Sequence, residues 1–483
     1  MSLLRLAART NRLRAALITL CVAAAGTITG LAPGSASASA ASGDLPPMPG
    51  TVPVAGAAIT GEQWVTQRTV SLTIATPSFT TPAKVEVTLP TGYAAAPTRR
   101  WPVTYFLAGT NGDQTMFRTT ADGESLTASY PSIVVSPSAN PLEGVVNTGG
   151  TIPGGNSGYW SDWYNNGAGG PPMYETFVTK QLIPLIEANF RTVPDRAHRA
   201  VMGASMGGYG ALMLTARHPD LFAATSSLSG AADSNWIPGA AVLSLSPALD
   251  LAAPDSIYGP RVTNEVRWRG HNPTDLAGNL GSVDVQLYTG NGVPGAVEVG
   301  DPAAWTACVL ESGIVNPETY SLHNRLVSLG VPHTFTSYNW GCHTPAMFKQ
   351  EITESLGRFT NRFSQDTSNP ASFDYRSIEP EFGVFGWSVT ADPNRASEFL
   401  DLRDVSADGF TVTGSGTTRV MTPPLFDGAS AVTVMINGVP SIVVPDAEGR
   451  LTVLVDLGPA DQDQQYSLGS VTDVRTSVVR FVG

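Results

Sequence analysis

Arg199-Ala200-Val201-Met202-Gly203-Ala204-Ser205-Met206-Gly207-Gly208-Tyr209-Gly210-Ala211-Leu212 is the stretch that decides the fold. An apolar, β-favouring run enters Gly-x-Ser-x-Gly and leaves it as a helix-favouring run ending near Arg217, so a serine stands on a sharp strand-to-helix turn. On such a turn the backbone two residues before the serine crowds the backbone two residues after it, and side chains at Gly203 and Gly207 would clash. The geometry exposes Ser205 Oγ at the carboxyl end of a sheet. It also aims the positive end of the following helix at that spot and frees the Met206 N–H to hold an oxyanion.

The segments on either side have the alternation such a turn needs. Arg68–Thr76 and Ala83–Leu89 alternate as a β-hairpin, and Pro102–Leu107 and Ser132–Ser136 read as strands covered on both faces. Apolar residues at helical spacing over Glu175–Phe190 lead back to the Ser205 strand. Phe222–Leu228, Val283–Tyr288 and Pro332–Tyr338 give further strands, with helices over 302–312, 317–329 and Thr344–Phe363. Alternating strands and helices imply an α/β-hydrolase fold with a mainly parallel sheet. The loop Ala108-Gly109-Thr110 follows an early central strand, where this fold takes its second oxyanion donor, so the Thr110 N–H joins that of Met206. The long Gly/Asn/Pro-rich segment 140–172 concentrates aromatics in Gly158-Tyr159-Trp160-Ser161-Asp162-Trp163-Tyr164, and Trp160 and Trp163 are expected to bind substrate. From Ser364 onward, seven short alternating runs separated by turns such as Asn437-Gly438 read as an all-β, sandwich-like domain.

A chain of 483 residues exceeds one hydrophobic core. The expected organisation is a signal peptide over 1–40, a flexible lead-in over 41–64, a catalytic domain over 65–363 and the β-domain over 364–483. The leader has a basic head (Arg5, Arg9, Arg12, Arg14), an apolar middle and an Ala-Ser-Ala-Ser-Ala end, which points to secretion. Its removal takes four arginines and no carboxylates, moving the formal net charge from −12 to −16. So acidic a product is a poor nucleic-acid partner, and no later run is long and apolar enough to span a membrane. No metal or organic cofactor is implied.

A serine hydroxyl needs a positioned base, and the base an orienting carboxylate, in the chain order Ser, acid, His. His198 and His218 flank the turn on the wrong side, His271 precedes the acids, and His323 and His333 fall inside elements. His343 sits in the loop after the last strand, where the base belongs. Glu298, Asp301 and Glu311 all follow the strand ending at Tyr288, and the first two lie nearest its end. The cysteines favour the third. Cys308 shares a helix face with Glu311 while Cys342 adjoins His343, so a Cys308–Cys342 bridge would tie acid to base.

Together with Glu175-Thr176-Phe177, Tyr258-Gly259-Pro260, Tyr288-Thr289-Gly290-Asn291-Gly292 and Val309-Leu310-Glu311, these motifs resemble the secreted mycolyltransferases of the antigen-85 type, relatives of esterase D, over about residues 65–360. The resemblance implies Glu311 as the acid, 32 residues before His343. It also implies acyl transfer from a lipid ester to a sugar or glycerol hydroxyl of the cell envelope, through an acyl-Ser205. The positions where that family keeps an aspartate and a basic residue beside the acceptor are here Ala108 and Asn111, which leaves Asn111 as the acceptor-side candidate. Ester hydrolysis is the alternative, and a non-catalytic wall-binding protein a third possibility that would require loss of Ser, acid or His.

Overall fold

The computed structural model describes residues 50–138, 158–250, 252–299, 304–365 and 369–482. The leader and Asp301 lie outside the described residues. Nine strands form one sheet: β1 (Ala58–Trp64), β2 (Thr69–Ala75), β3 (Ala83–Thr88), β4 (Val103–Leu107), β5 (Ile133–Pro137), β6 (Arg199–Ala204), β7 (Ala224–Leu228), β8 (Asp284–Thr289) and β9 (His333–Ser337). Their order is β1-β2-β3-β5-β4-β6-β7-β8-β9. The first three pair antiparallel and β3 meets β5 antiparallel, whereas every pairing from β5 through β4 to β9 is parallel. β4, β5, β6 and β7 are buried at every residue, as strands packed under helices on both faces must be.

β1 corrects the expected lead-in. Ala58–Trp64 pairs with β2 along its length, so the hydrolase sheet begins inside the stretch read as flexible. Its alternation was weak because a register shift between Ile59 and Gly61 interrupts it.

Helices connect the parallel strands over both faces. The helix Met206–Arg217 leaves β6, and its twelve residues are all buried. A closing helix, Pro345–Phe363, follows β9 with Thr344 as its N-cap and lays Met347, Phe348, Ile352, Leu356 and Phe359 against the sheet. Two connections differ from the regular helices expected. Phe177–Leu182 and Glu311–Val315 are π-helical turns inserted before Ile183–Asn189 and Asn316–Leu329.

Beyond the closing helix the chain forms β10 (Ser372–Ser377), β11 (Glu381–Val384), β12 (Trp387–Thr390), β13 (Leu400–Ser406), β14 (Gly409–Gly414), β15 (Thr417–Met421), β16 (Val432–Ile436), β17 (Val439–Val443), β18 (Thr452–Asp456) and β19 (Arg475–Val482). A six-stranded sheet, β10-β13-β14-β19-β16-β17, and a four-stranded sheet, β11-β12-β15-β18, enclose a core built on Trp387, Leu402, Phe410, Val420, Val434 and Val453. This is the sandwich architecture expected, with ten strands instead of seven. The run 384–390 is a hairpin rather than one strand, and β10 and β19 lie outside the seven runs read from the sequence.

Candidate active site

Ser205 sits between β6 and the helix Met206–Arg217 at φ 56°, ψ −121°, a conformation few L-residues adopt. Its N–H donates to Leu228 O at 3.0 Å, which pins the turn to the next strand. The glycines are there for space. A Cβ at Gly203 would stand 2.2 Å from Gly207 O, and one at Gly207 would stand 1.9 Å from Leu107 O. The loop after β4 runs just as close, since a Cβ at Gly109 would meet Ala204 O at 3.0 Å and Ser205 Cβ at 3.1 Å. This brings Thr110 beside the serine. Among the described residues neither the Thr110 nor the Met206 N–H donates to a protein carbonyl.

The acid and base meet beyond the end of β8, two strands along from β6. His343 Nδ1 lies 2.8 Å from Glu311 Oε2. The other carboxylate oxygen, Oε1, accepts from Ser229 Oγ at 2.9 Å, Thr289 Oγ1 at 2.8 Å and the Gly290 N–H at 2.8 Å. Glu311 is fully buried, so these donors and the imidazole hold a charge that burial alone would penalise. With Nδ1–H donating to the carboxylate, Nε2 presents its lone pair. It is buried and has no hydrogen-bond partner among the described residues, Ser205 Oγ included. In resting enzymes of this kind the Ser–His hydrogen bond commonly forms only when substrate arrives.

The Cys308–Cys342 disulfide is formed, with its Cα atoms 4.2 Å apart, and joins the helix leading to Glu311 to the residue before His343. The His343 N–H also donates to Ala307 O at 3.2 Å. Glu298, weighed above as an acid, does something else. Its carboxylate accepts from the Cys342 N–H at 3.1 Å, from Thr344 Oγ1 at 2.5 Å and from the Gly295 N–H at 2.8 Å, clasping the loop on both sides of His343.

The sequence reading gives Ser229, Thr289 and Glu351 no role in the site. For Glu351 there was a signal, a glutamate in the apolar stripe of an amphipathic helix. Of the two tryptophans, Trp160 is corrected. Trp160 is fully buried, packs where a Cβ at Gly210 would stand 2.4 Å from its ring, and donates to Ala108 O at 3.2 Å. Trp163 is 4% exposed, donates to Gly158 O at 3.2 Å and lines a cleft with Phe79 and Pro172. Trp160 thus braces the scaffold behind the serine. Asn111, at φ 63°, is half-buried beside Thr110.

A mainly parallel sheet with this serine turn and a buried carboxylate–imidazole pair beyond its carboxyl end is the arrangement of an α/β-hydrolase-type serine enzyme. The chain belongs to the Esterase family ("Putative esterase"), whose model matches residues 76–359, more than half of its length. It is 33% identical over 283 residues to Esterase Rv1288 of Mycobacterium tuberculosis, covering 57% of this chain and 56% of that one. It is 34% identical over 218 residues to the diacylglycerol acyltransferase/mycolyltransferase Ag85B of Mycobacterium leprae, covering 42% of this chain and 64% of that one. The chain thus spans a little over half the length of the curated esterase it matches. Among solved structures it resembles Mycobacterium tuberculosis MPT51 at 20% identity and a TM-score of 0.48, over 60% of this chain and 97% of that one.

Proposed function

We propose that the protein cleaves carboxylic esters through an acyl-enzyme on Ser205. The observation that carries this reading is the 2.8 Å Glu311–His343 bond, which lies beyond the end of the same parallel sheet whose β6 leads into the Ser205 turn. Ser205 Oγ attacks the ester carbonyl carbon as its proton passes to His343 Nε2, and the Thr110 and Met206 N–H groups hold the resulting oxyanion. The C–O bond to the leaving alcohol breaks, and that alcohol takes the proton from the imidazolium. Water then attacks the acyl carbon, giving its proton to Nε2, which returns it to Ser205 Oγ as the acid leaves. The Glu311 carboxylate stabilises the imidazolium in both halves.

Water is favoured as acceptor by what lines the Thr110 loop. A transferase must hold a sugar or glycerol hydroxyl better than it admits water. The acceptor-side positions here are Ala108, buried under the Trp160 indole, and the uncharged Asn111. Transfer to a hydroxyl of an envelope glycolipid is a second reading, supported by the mycolyltransferase relatives. The Cys308–Cys342 bridge supports work outside the cytoplasm, in line with the basic-apolar leader. No helix of the described residues is long and apolar enough to cross a membrane.

Product analysis tests the choice. With a labelled acyl ester, free acid in the presence and absence of trehalose or glycerol is expected. A new acyl-sugar or acyl-glycerol accumulating at the expense of free acid would establish transfer instead.

A further inference from the structure

Two buried carboxyls end on one hydroxyl behind His343. Ser229 Oγ lies 2.9 Å from Glu311 Oε1 and 2.8 Å from Glu351 Oε1, and both glutamates are fully buried. A serine hydroxyl has one proton to give. Were both carboxyls ionised, that proton would serve one of them and leave two negative charges facing each other across a single oxygen. Glu311 is committed as the anion by the imidazole on Oε2 and by the Thr289 and Gly290 donors on Oε1. Glu351 is therefore the group that must bring a proton of its own. Burial first, then the charges of Glu311 and Glu354, push its carboxyl well above the usual range, against the opposing Ser229 hydrogen bond.

We propose that Glu351 is a positioning residue for the Glu311–His343 pair and works as a neutral acid: its carboxyl proton goes to Ser229 Oγ, and the Ser229 hydroxyl proton goes to Glu311 Oε1. This rests on the reading of Glu311 and His343 as the catalytic pair. Ser229 is fixed for the part by its left-handed backbone, φ 44°, and by its N–H donating to Tyr288 O at 3.1 Å. The titratable groups facing Glu351 are Glu311 across Ser229 with His343 beyond it, Glu354 on its own helix, and Tyr338 in the segment after β9. When Glu351 loses its proton at alkaline pH, Ser229 has one proton for two anions. Glu311 then loses a donor that fixes it, and the imidazole loses its alignment.

The test is kcat and KM against pH with p-nitrophenyl butyrate, for the wild type, E351Q, E351L and H343A. The wild type is expected to lose kcat on the alkaline side. E351L should lower kcat about 10–100-fold with KM within about threefold, because the bridging hydroxyl loses its partner. E351Q, whose amide donates the same bond and does not ionise, should recover most of that loss and abolish the alkaline decline. An E351Q enzyme that keeps the wild-type alkaline limb, or that is as slow as E351L while melting like the wild type, overturns the assignment. Should E351L not fold, the E351Q limb alone decides. An active H343A would overturn the catalytic pair itself, whereas an inactive H343A beside an unaltered E351Q limb overturns only the role of Glu351.

Discussion

Ser205 holds a backbone conformation that costs of order 1–3 kcal/mol, maintained because Gly203, Gly207 and the Leu107 carbonyl leave the turn no other way to pack. His343 is held as firmly, though mostly from outside its own side chain. Glu298 binds the Cys342 N–H and the Thr344 hydroxyl, so the loop bearing the imidazole hangs on one carboxylate. Replacing Glu298 by alanine releases both donors without touching the reacting atoms. A displacement of the ring by about 1 Å can cost about 100-fold in rate. E298A is expected to lower kcat about 10–100-fold while fluorophosphonate still labels Ser205 slowly; steady-state kinetics beside labelling rates checks this, and a wild-type kcat would show that the loop stands without Glu298.

At the scale of elements, the Cys308–Cys342 bridge closes a loop of sequence separation 34 that contains the acid and ends one residue before the base. In the chain-entropy account such a loop stabilises the fold by about 3–4 kcal/mol. C308S/C342S should melt lower than the wild type by several degrees and lose kcat more than KM, since the bridge holds the acid-bearing helix against the His343 loop. Equal melting curves for the double variant and the disulfide form would contradict this. The bridge was legible because its cysteines neighbour Glu311 and His343 in sequence, and the serine turn because steric need dictates both glycines. Glu298 as a loop clasp was not, since the two partners that matter for it are a backbone and a hydroxyl donor 44 and 46 residues away. The π-helical turn at Glu311 was hidden too, because an added residue per turn leaves no mark in apolar spacing. Trp160 misled for a related reason. An aromatic-rich loop looks the same whether its rings face a ligand or pack behind the serine.

A buried cation is one of the links between the two parts of the molecule. Arg217, at the end of the helix that starts from Ser205, binds Glu175 and, from the C-terminal β region, Glu379, both at 2.7 Å. Tyr375 OH donates to Arg217 O at 2.5 Å, and Phe399 joins the hydrophobic cluster that contains Leu322 and Leu326. A chain ending at residue 364 should therefore expose apolar surface, unpair Arg217 from Glu379, and melt at least about 5 °C below the full chain. An unchanged melting temperature would make the β region a passive appendage. Stability should also depend on pH. Burial, with the nearby Asp233 charge, holds the Glu318 carboxyl well above its usual range despite the Asp233 N–H. Between the ordinary carboxyl range and that raised value the native state binds the extra proton, so stability falls as pH rises. E318Q should lessen the drop in melting temperature between pH 5 and pH 8; an undiminished drop would assign it to other groups.

The central claim is that Ser205 becomes a nucleophile because His343, oriented by Glu311, takes its proton. Intact-protein mass spectrometry after treatment with a fluorophosphonate tests it most directly, with peptide mapping to locate the adduct. One adduct on Ser205 is expected, absent from S205A and slowed by about 10³-fold or more in H343A. An adduct on another residue, or labelling of H343A at the wild-type rate, would contradict the account.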